Sequence, residues 1–249
     1  MDHAERWQLA TDLCARMAAK LGDGLIVGGV YGSTAWGTDT EWSDLELFFV
    51  VRGEPDEAAQ HFVSRGIAVG YRAVAQSTLE ALLTHPSRRW PFHMGILSTL
   101  KVLHGDPGQV QAWLRLGESV PQERFRTALE ELLPDLVIES YGRILSCRER
   151  HDTRNIRACV QEVLYEMNLA LCLLNRRWVT HDYYEGLVDA FTFPLLPDHY
   201  RTLVPALWDA AEINEIVPLA GRLVENFRRL LREKGIRLKD YQRVEDIPL

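Results

Sequence analysis

Two acids stand two residues apart in an otherwise apolar run, Asp44-Leu45-Glu46-Leu47-Phe48-Phe49-Val50-Val51. In an extended strand, residues i and i+2 share a face, so the carboxylates of Asp44 and Glu46 are expected side by side while Leu45, Leu47 and Phe49 turn into a core. Adjacent carboxylates at partial burial repel each other unless a cation sits between them. A divalent ion resolves that conflict. Paired hard oxygens suit Mg²⁺, which takes one or two protein carboxylates and completes its octahedron with water and phosphate oxygens. Eleven residues before Asp44 stands Ser33, preceded by Gly32, just past the apolar run Leu25 to Val30. A glycine after a strand lets backbone approach closely, and a serine opening a helical turn offers free N–H groups and a hydroxyl to an anion. Singly, Gly32-Ser33 reads as a turn with an N-cap, and Asp44 and Glu46 as a frayed strand end. Together, in this order, they point to nucleotide chemistry.

These residues need a sheet to hold them. Leu25 to Val30, Asp44 to Val51 and Val69 to Ala75 read as strands, the last with Val69, Tyr71, Ala73 and Ala75 on one face at period two. Trp7, Ala10, Cys14, Met17 and Leu21 form one apolar stripe of a helix from Asp2 to Leu21, ended by Gly22-Asp23-Gly24. A helix from Ser77 to Thr84 precedes a loop holding Pro86 and Pro91, and Leu100 to Leu103 reads as a further strand before the turn residues His104 to Gly108. From Gln122 onward the period is helical, with segments at 122–150, 154–176, 183–191, 198–211 and 217–234. Pro134 should kink or split the first of these. The expected architecture is α/β (α+β): a mixed sheet with flanking helices over residues 1–121, then an all-helical bundle over 122–249.

Composition narrows the class. The 28 Lys+Arg and 35 Asp+Glu residues give a net charge of −7, which disfavours a phosphate backbone as partner and argues against a nucleic-acid binder. At 47% hydrophobic and 25% charged residues, the chain can build a sizeable core. No apolar stretch approaches the ~20 residues that cross a bilayer, and the first residues lack the charge and apolar blocks of a signal peptide, so a cytoplasmic location away from membranes is expected. Cys14, Cys147, Cys159 and Cys172 show no zinc-type spacing and read as reduced, mostly buried small hydrophobes.

Gly29-Val30-Tyr31-Gly32-Ser33 with Trp42-Ser43-Asp44-Leu45-Glu46 resembles the signature of the DNA polymerase β-like nucleotidyltransferases, and within them the aminoglycoside 4′-O-nucleotidyltransferases. The resemblance implies transfer of a nucleoside monophosphate, such as AMP from ATP, to an aminoglycoside hydroxyl. Asp44 and Glu46 would hold Mg²⁺, and Gly32, Ser33 and Thr38 would contact the nucleotide. In Glu139-Ser140-Tyr141-Gly142-Arg143, the glutamate would be the general base and Arg143 a nucleotide contact where the family usually has lysine. The family pattern is a homodimer whose active sites are shared, Glu139 of one subunit serving Asp44 of the other.

Two positions depart from that pattern. The third acid expected on the next strand falls on Ala73, leaving either fewer carboxylates or a substitute such as Asp39, and the basic residue expected soon after the serine falls on Trp36. Separately from any family, Glu131, Asp135 and Glu139 recur at intervals of four. They form either a solvated helix face, relieved by an ion pair from Glu139 to Arg143, or the acidic wall of a cleft for a polycation. Glu54, Asp56 and Glu57 would add to the same field, and Glu57, Asp135 and Glu139 are the candidate acceptor contacts. The rival readings are transfer to a protein or another antibiotic, and a non-catalytic nucleotide-binding or antitoxin-type module.

Overall fold

The computed structural model describes residues 1–56 and 58–248, which form two compact units, Met1–Val120 and Pro121–Leu249. Among these residues no helix is long and apolar enough to cross a membrane.

The first unit opens with α1 (His3–Leu21), capped by a reciprocal box in which the Asp2 side chain accepts from the Glu5 N–H at 2.8 Å and Glu5 accepts from the Asp2 N–H. The chain continues through β1 (Leu25–Tyr31), the short helix α2 (Gly32–Trp36), β2 (Leu45–Val51), β3 (Ala59–Ser64) and β4 (Ile67–Ala75). It then runs through α3 (Gln76–Thr84), α4 (Trp90–Thr99), β5 (Lys101–Gly105) and α5 (Pro107–Glu118). The five strands form one mixed sheet in the order β3-β4-β2-β1-β5, with β2 and β4 parallel and the other pairs antiparallel.

Register divides the sheet into two faces. Leu45, Leu47, Phe49 and Val51 of β2 share a core with Val69 and Ala73 of β4, Val30 of β1, and Leu9, Ala10 and Cys14 of α1. That packing is tight, because a Cβ at Gly28 would stand 2.9 Å from Cys14 Sγ. Phe48 and Val50 lie on the opposite face and are also buried, with α3 touching β2 and β4 and α5 touching β1. Alternation that is apolar on both faces marks β2 as the central strand.

Three elements differ from the sequence expectation. The Pro86 and Pro91 loop is largely α4, with Pro91 in its first turn; the turn-rich stretch ends in α5, where Asp106 caps and Pro107 follows; and β3 is a mostly exposed edge strand whose mixed polar and apolar residues do not alternate and so gave no strand signal. Proline in a first turn costs nothing, since that N–H has no helical partner.

The second unit contains α6 (Gln122–Leu133), α7 (Tyr141–Arg150), α8 (Ile156–Asn175), α9 (Tyr183–Asp189), α10 (Tyr200–Asp209) and α11 (Ile213–Glu233) around one core. Pro134 does split the first long segment. Residues Pro134–Ser140 form a π-helical turn between α6 and α7, in which Ser140 Oγ donates to the Asp135 carbonyl five residues back at 2.6 Å. Proline lacks the N–H that would bond to residue 130, and the wider turn absorbs the mismatch.

Candidate active site

Tyr31 and Glu46 are cross-strand partners on β1 and β2. Immediately after Tyr31 the chain turns at Gly32, whose φ of +71° is left-handed. A Cβ at Gly32 would overlap Glu46 Oε2, so glycine is needed twice over, for its backbone conformation and for the carboxylate lying against its Cα. Gly32 and Ser33 are the first residues of α2, which lacks a side-chain N-cap, so its leading N–H groups are not capped by the protein's own side chains. Asp44, exposed, is the residue just before β2, and Glu46, half-buried, is the second residue of that strand.

The loop between α2 and β2 is pinned from beneath. Arg6 of α1, fully buried, donates from Nη1 to Asp39 and from Nη2 to the carbonyls of Thr40 at 2.9 Å and Ser43 at 3.0 Å. His3 Nδ1 lies 2.6 Å from the other Asp39 oxygen. Burial alone would raise the Asp39 pKa, but the hydrogen bonds from His3 and Arg6 outweigh it and hold the carboxyl below its usual range. Ser43 Oγ accepts from the Thr40 N–H at 2.9 Å, closing the turn that delivers Asp44 to the strand. Trp42, on the same turn, is 87% exposed.

Around Glu46 the sequence reading missed two residues. Tyr31 is buried, and its hydroxyl is hydrogen-bonded to both Glu46 and Arg72 of β4; burial, reinforced by the Glu46 charge, pushes its pKa well above the usual phenol range. Arg72 is paired in register with Phe48, which puts it on the face that carries Glu46, and its guanidinium lies 5.4 Å from the centroid of the Phe92 ring of α4. A signal was present: Val69, Tyr71, Ala73 and Ala75 on one face leave Arg72 on the other. His93, next to Phe92, is buried with Nδ1 2.8 Å from the Arg89 carbonyl, and burial lowers its pKa.

The departures noted in the sequence are corrected here. Ala73 is buried in the α1-side core, so it is not the β4 position that faces Glu46; on that face β4 offers Gly70, opposite Glu46, and Arg72. Asp39 is no substitute acid, because both of its oxygens are taken by His3 and Arg6 and its side chain is 1% exposed. Thr38 is exposed at the end of α2, its N–H bonded to the Ser33 carbonyl at 3.1 Å. Glu57 lies outside the described residues.

In the second unit, Arg143 is ion-paired with both Glu139 and Glu162. Glu131, Asp135 and Glu139 are all exposed, though the π turn interrupts the α period that their spacing suggested. All four cysteines are free thiols, with burial raising Cys14 and Cys159 to about 11 and Cys172 to about 12.

The residues at the start of β2 fit a magnesium ion. Their donors are hard carboxylate oxygens, and one of them is held against a glycine cradle beside uncapped N–H groups. Among the described residues, no group of three or more His, Cys, Asp or Glu is placed to hold a metal, so the protein would supply only this pair.

No family model matches the chain. Two curated relatives, each named aminoglycoside nucleotidyltransferase (4′), from a Bacillus species and from Staphylococcus aureus, are 23% identical to it over 153 residues. The matched stretch is 61% of this chain and 60% of each relative, less than two thirds of their length. Among solved structures, the nucleotidyltransferase-like protein of Exiguobacterium sibiricum 255-15 superposes with a TM-score of 0.50 at 13% identity, covering 92% of this chain and 75% of that one. The chain has a nucleotidyltransferase-type fold. The resemblance read from Gly32-Ser33 and Asp44-Leu45-Glu46 points to the same relatives.

Proposed function

We propose that the chain is an aminoglycoside O-nucleotidyltransferase, which moves a nucleoside monophosphate, in the first instance AMP from ATP, onto the 4′-hydroxyl of a kanamycin- or tobramycin-type acceptor and so confers resistance. The observation that supports this reading best is the Glu46 carboxylate seated against Gly32, with Ser33 next in the chain and Asp44 two residues before Glu46, at the entry to β2.

In this reading Asp44 and Glu46 hold Mg²⁺, which when bound neutralises charge developing on the transferred phosphoryl group. Gly32, Ser33 and Thr38 take the triphosphate through backbone N–H groups and hydroxyls. The acceptor oxygen bonds to the α-phosphorus, the bond from that phosphorus to the bridging oxygen breaks, and pyrophosphate leaves. The acceptor's proton passes to Glu139, whose carboxylate is oriented by Arg143. Arg143 also contributes positive charge toward the nucleotide. Asp135 and Glu57 complement the acceptor's ammonium groups.

The test is pyrophosphate release with Mg-ATP and a panel of aminoglycosides, with mass spectrometry locating the added AMP. Asp44→Asn is expected to lower turnover at least about a thousandfold while leaving the circular dichroism spectrum and melting temperature unchanged. Near wild-type turnover in that variant would remove the metal role. Mixing Asp44→Asn with Glu139→Ala chains should recover activity if a homodimer shares its sites; no recovery would place both residues' work within one chain.

A further inference from the structure

The β4 strand carries a cation where the sheet faces Glu46. Gly70 and Phe48 are the in-register neighbours of Glu46 and Arg72 on adjacent strands, so the two charged residues occupy one face, two positions apart along paired parallel strands. The Tyr31 hydroxyl joins them, donating to the Glu46 carboxylate and accepting from the Arg72 guanidinium. Phe92 supports the guanidinium from α4, at 5.4 Å from the ring centroid. Arg72 is nevertheless exposed, so its planar donor fork is not used up by these contacts. On the same face, Gly32 and Ser33 open α2 beside the Glu46 oxygen. A guanidinium fixed there makes a second dication unfavourable by Coulomb repulsion and suits bidentate recognition of phosphate oxygens.

We propose that Arg72 is a built-in phosphate-binding cation of this site, gripping the triphosphate and standing in for a second divalent ion, so that each chain works with one. This rests on the nucleotidyltransferase reading above and adds a residue and an ion count to it. The Tyr31 hydroxyl then has a positioning role, holding the carboxylate and the guanidinium apart at fixed spacing.

The experiment compares wild type with Arg72→Gln and Arg72→Lys in two binding measurements that need no turnover. Calorimetry with α,β-methylene-ATP in EDTA is expected to show binding by wild type, weakened about tenfold or more in Arg72→Gln and largely kept in Arg72→Lys. Electron paramagnetic resonance of Mn²⁺ without nucleotide should show the opposite sign, with the ion held several-fold more tightly by Arg72→Gln because a neighbouring positive charge is gone. With the analogue present, wild type should take up one Mn²⁺ per chain. Equal analogue affinity in Arg72→Gln and wild type would overturn the proposal, as would two Mn²⁺ per wild-type chain. Loss of both Mn²⁺ and analogue binding in Arg72→Gln would also overturn it, since that is what a structural prop for Glu46 would give. A wild-type chain that binds neither analogue nor Mn²⁺ would instead remove the nucleotidyltransferase reading itself, and this proposal with it.

Discussion

Gly32 concentrates more constraint than any other residue near the sheet's acidic end. Its φ of +71° is open to glycine at little cost, and any side chain there meets Glu46 Oε2. Gly32→Ala is therefore expected to cost about 1–3 kcal/mol in chemical denaturation, from left-handed strain plus displacement of the carboxylate, and to lower nucleotidyl transfer far more than that stability loss explains. Asn at the same position would relieve part of the backbone strain but none of the overlap, so the two contributions separate in that pair of variants. Much at this scale was readable in advance: Asp44 and Glu46 stand out because acids are rare in a run like Leu47 to Val51, and glycine before serine after a strand is informative for the same reason. Arg72 gave no signal because an arginine alternating with apolar residues along a strand looks like ordinary solvent-facing alternation, and only the parallel register of β2 with β4 brings it to the face of Glu46. That register depends on long-range pairing, which a local pattern does not carry.

Among the elements, α1 does more than cover the sheet. Its Arg6 reaches through to the loop before β2 and, with His3, fixes Asp39, so one helix both builds the core and sets the approach of Asp44. Breaking that buried pair should be expensive: Asp39→Asn leaves the Arg6 guanidinium without its counter-charge and is expected to destabilise the first unit by about 3–5 kcal/mol in urea denaturation. The pH dependence has a definite sign. The folded carboxyl titrates below its unfolded value, so its stabilisation is complete above the ordinary aspartate range and fades as the pH drops through the lower, folded value. Acid unfolding of wild type should therefore steepen below about pH 4, and the Asp39→Asn variant should lack that component. The helices α4 and α5 are hard to read from sequence because Pro91 and Pro107 resemble loop markers, when each sits in a first turn and Asp106 supplies the cap of α5. The π turn was half legible, since Pro134 announced a disruption without saying that Ser140 and the Asp135 carbonyl would bridge it.

For the molecule as a whole, charge is the property that acts at a distance. In the proposed reaction, a net −7 would attract a polyammonium acceptor and repel a nucleotide until local cations take over. Raising ionic strength from about 0.05 to 0.5 M, which shortens the screening length to a few ångström, should raise KM for the aminoglycoside several-fold and leave KM for the nucleotide unchanged or lower. Steady-state kinetics across a salt series would show this, and parallel movement of both constants would deny the acidic surface a part in capture. The mixed sheet and the helical second half were legible because the apolar period changes from two to near 3.6 past Gln122, a difference that survives any uncertainty about where each element ends. Trp42 adds a practical consequence. Its indole stands almost wholly in water on the turn that hands Asp44 to the strand, while Trp90 and Trp113 are sealed in the interior. Iodide should dim Trp42 most, half-exposed Trp36 less, and spare the two sealed ones, so the part of the quenching that a Trp42→Phe variant loses is an optical gauge for whatever settles over that turn.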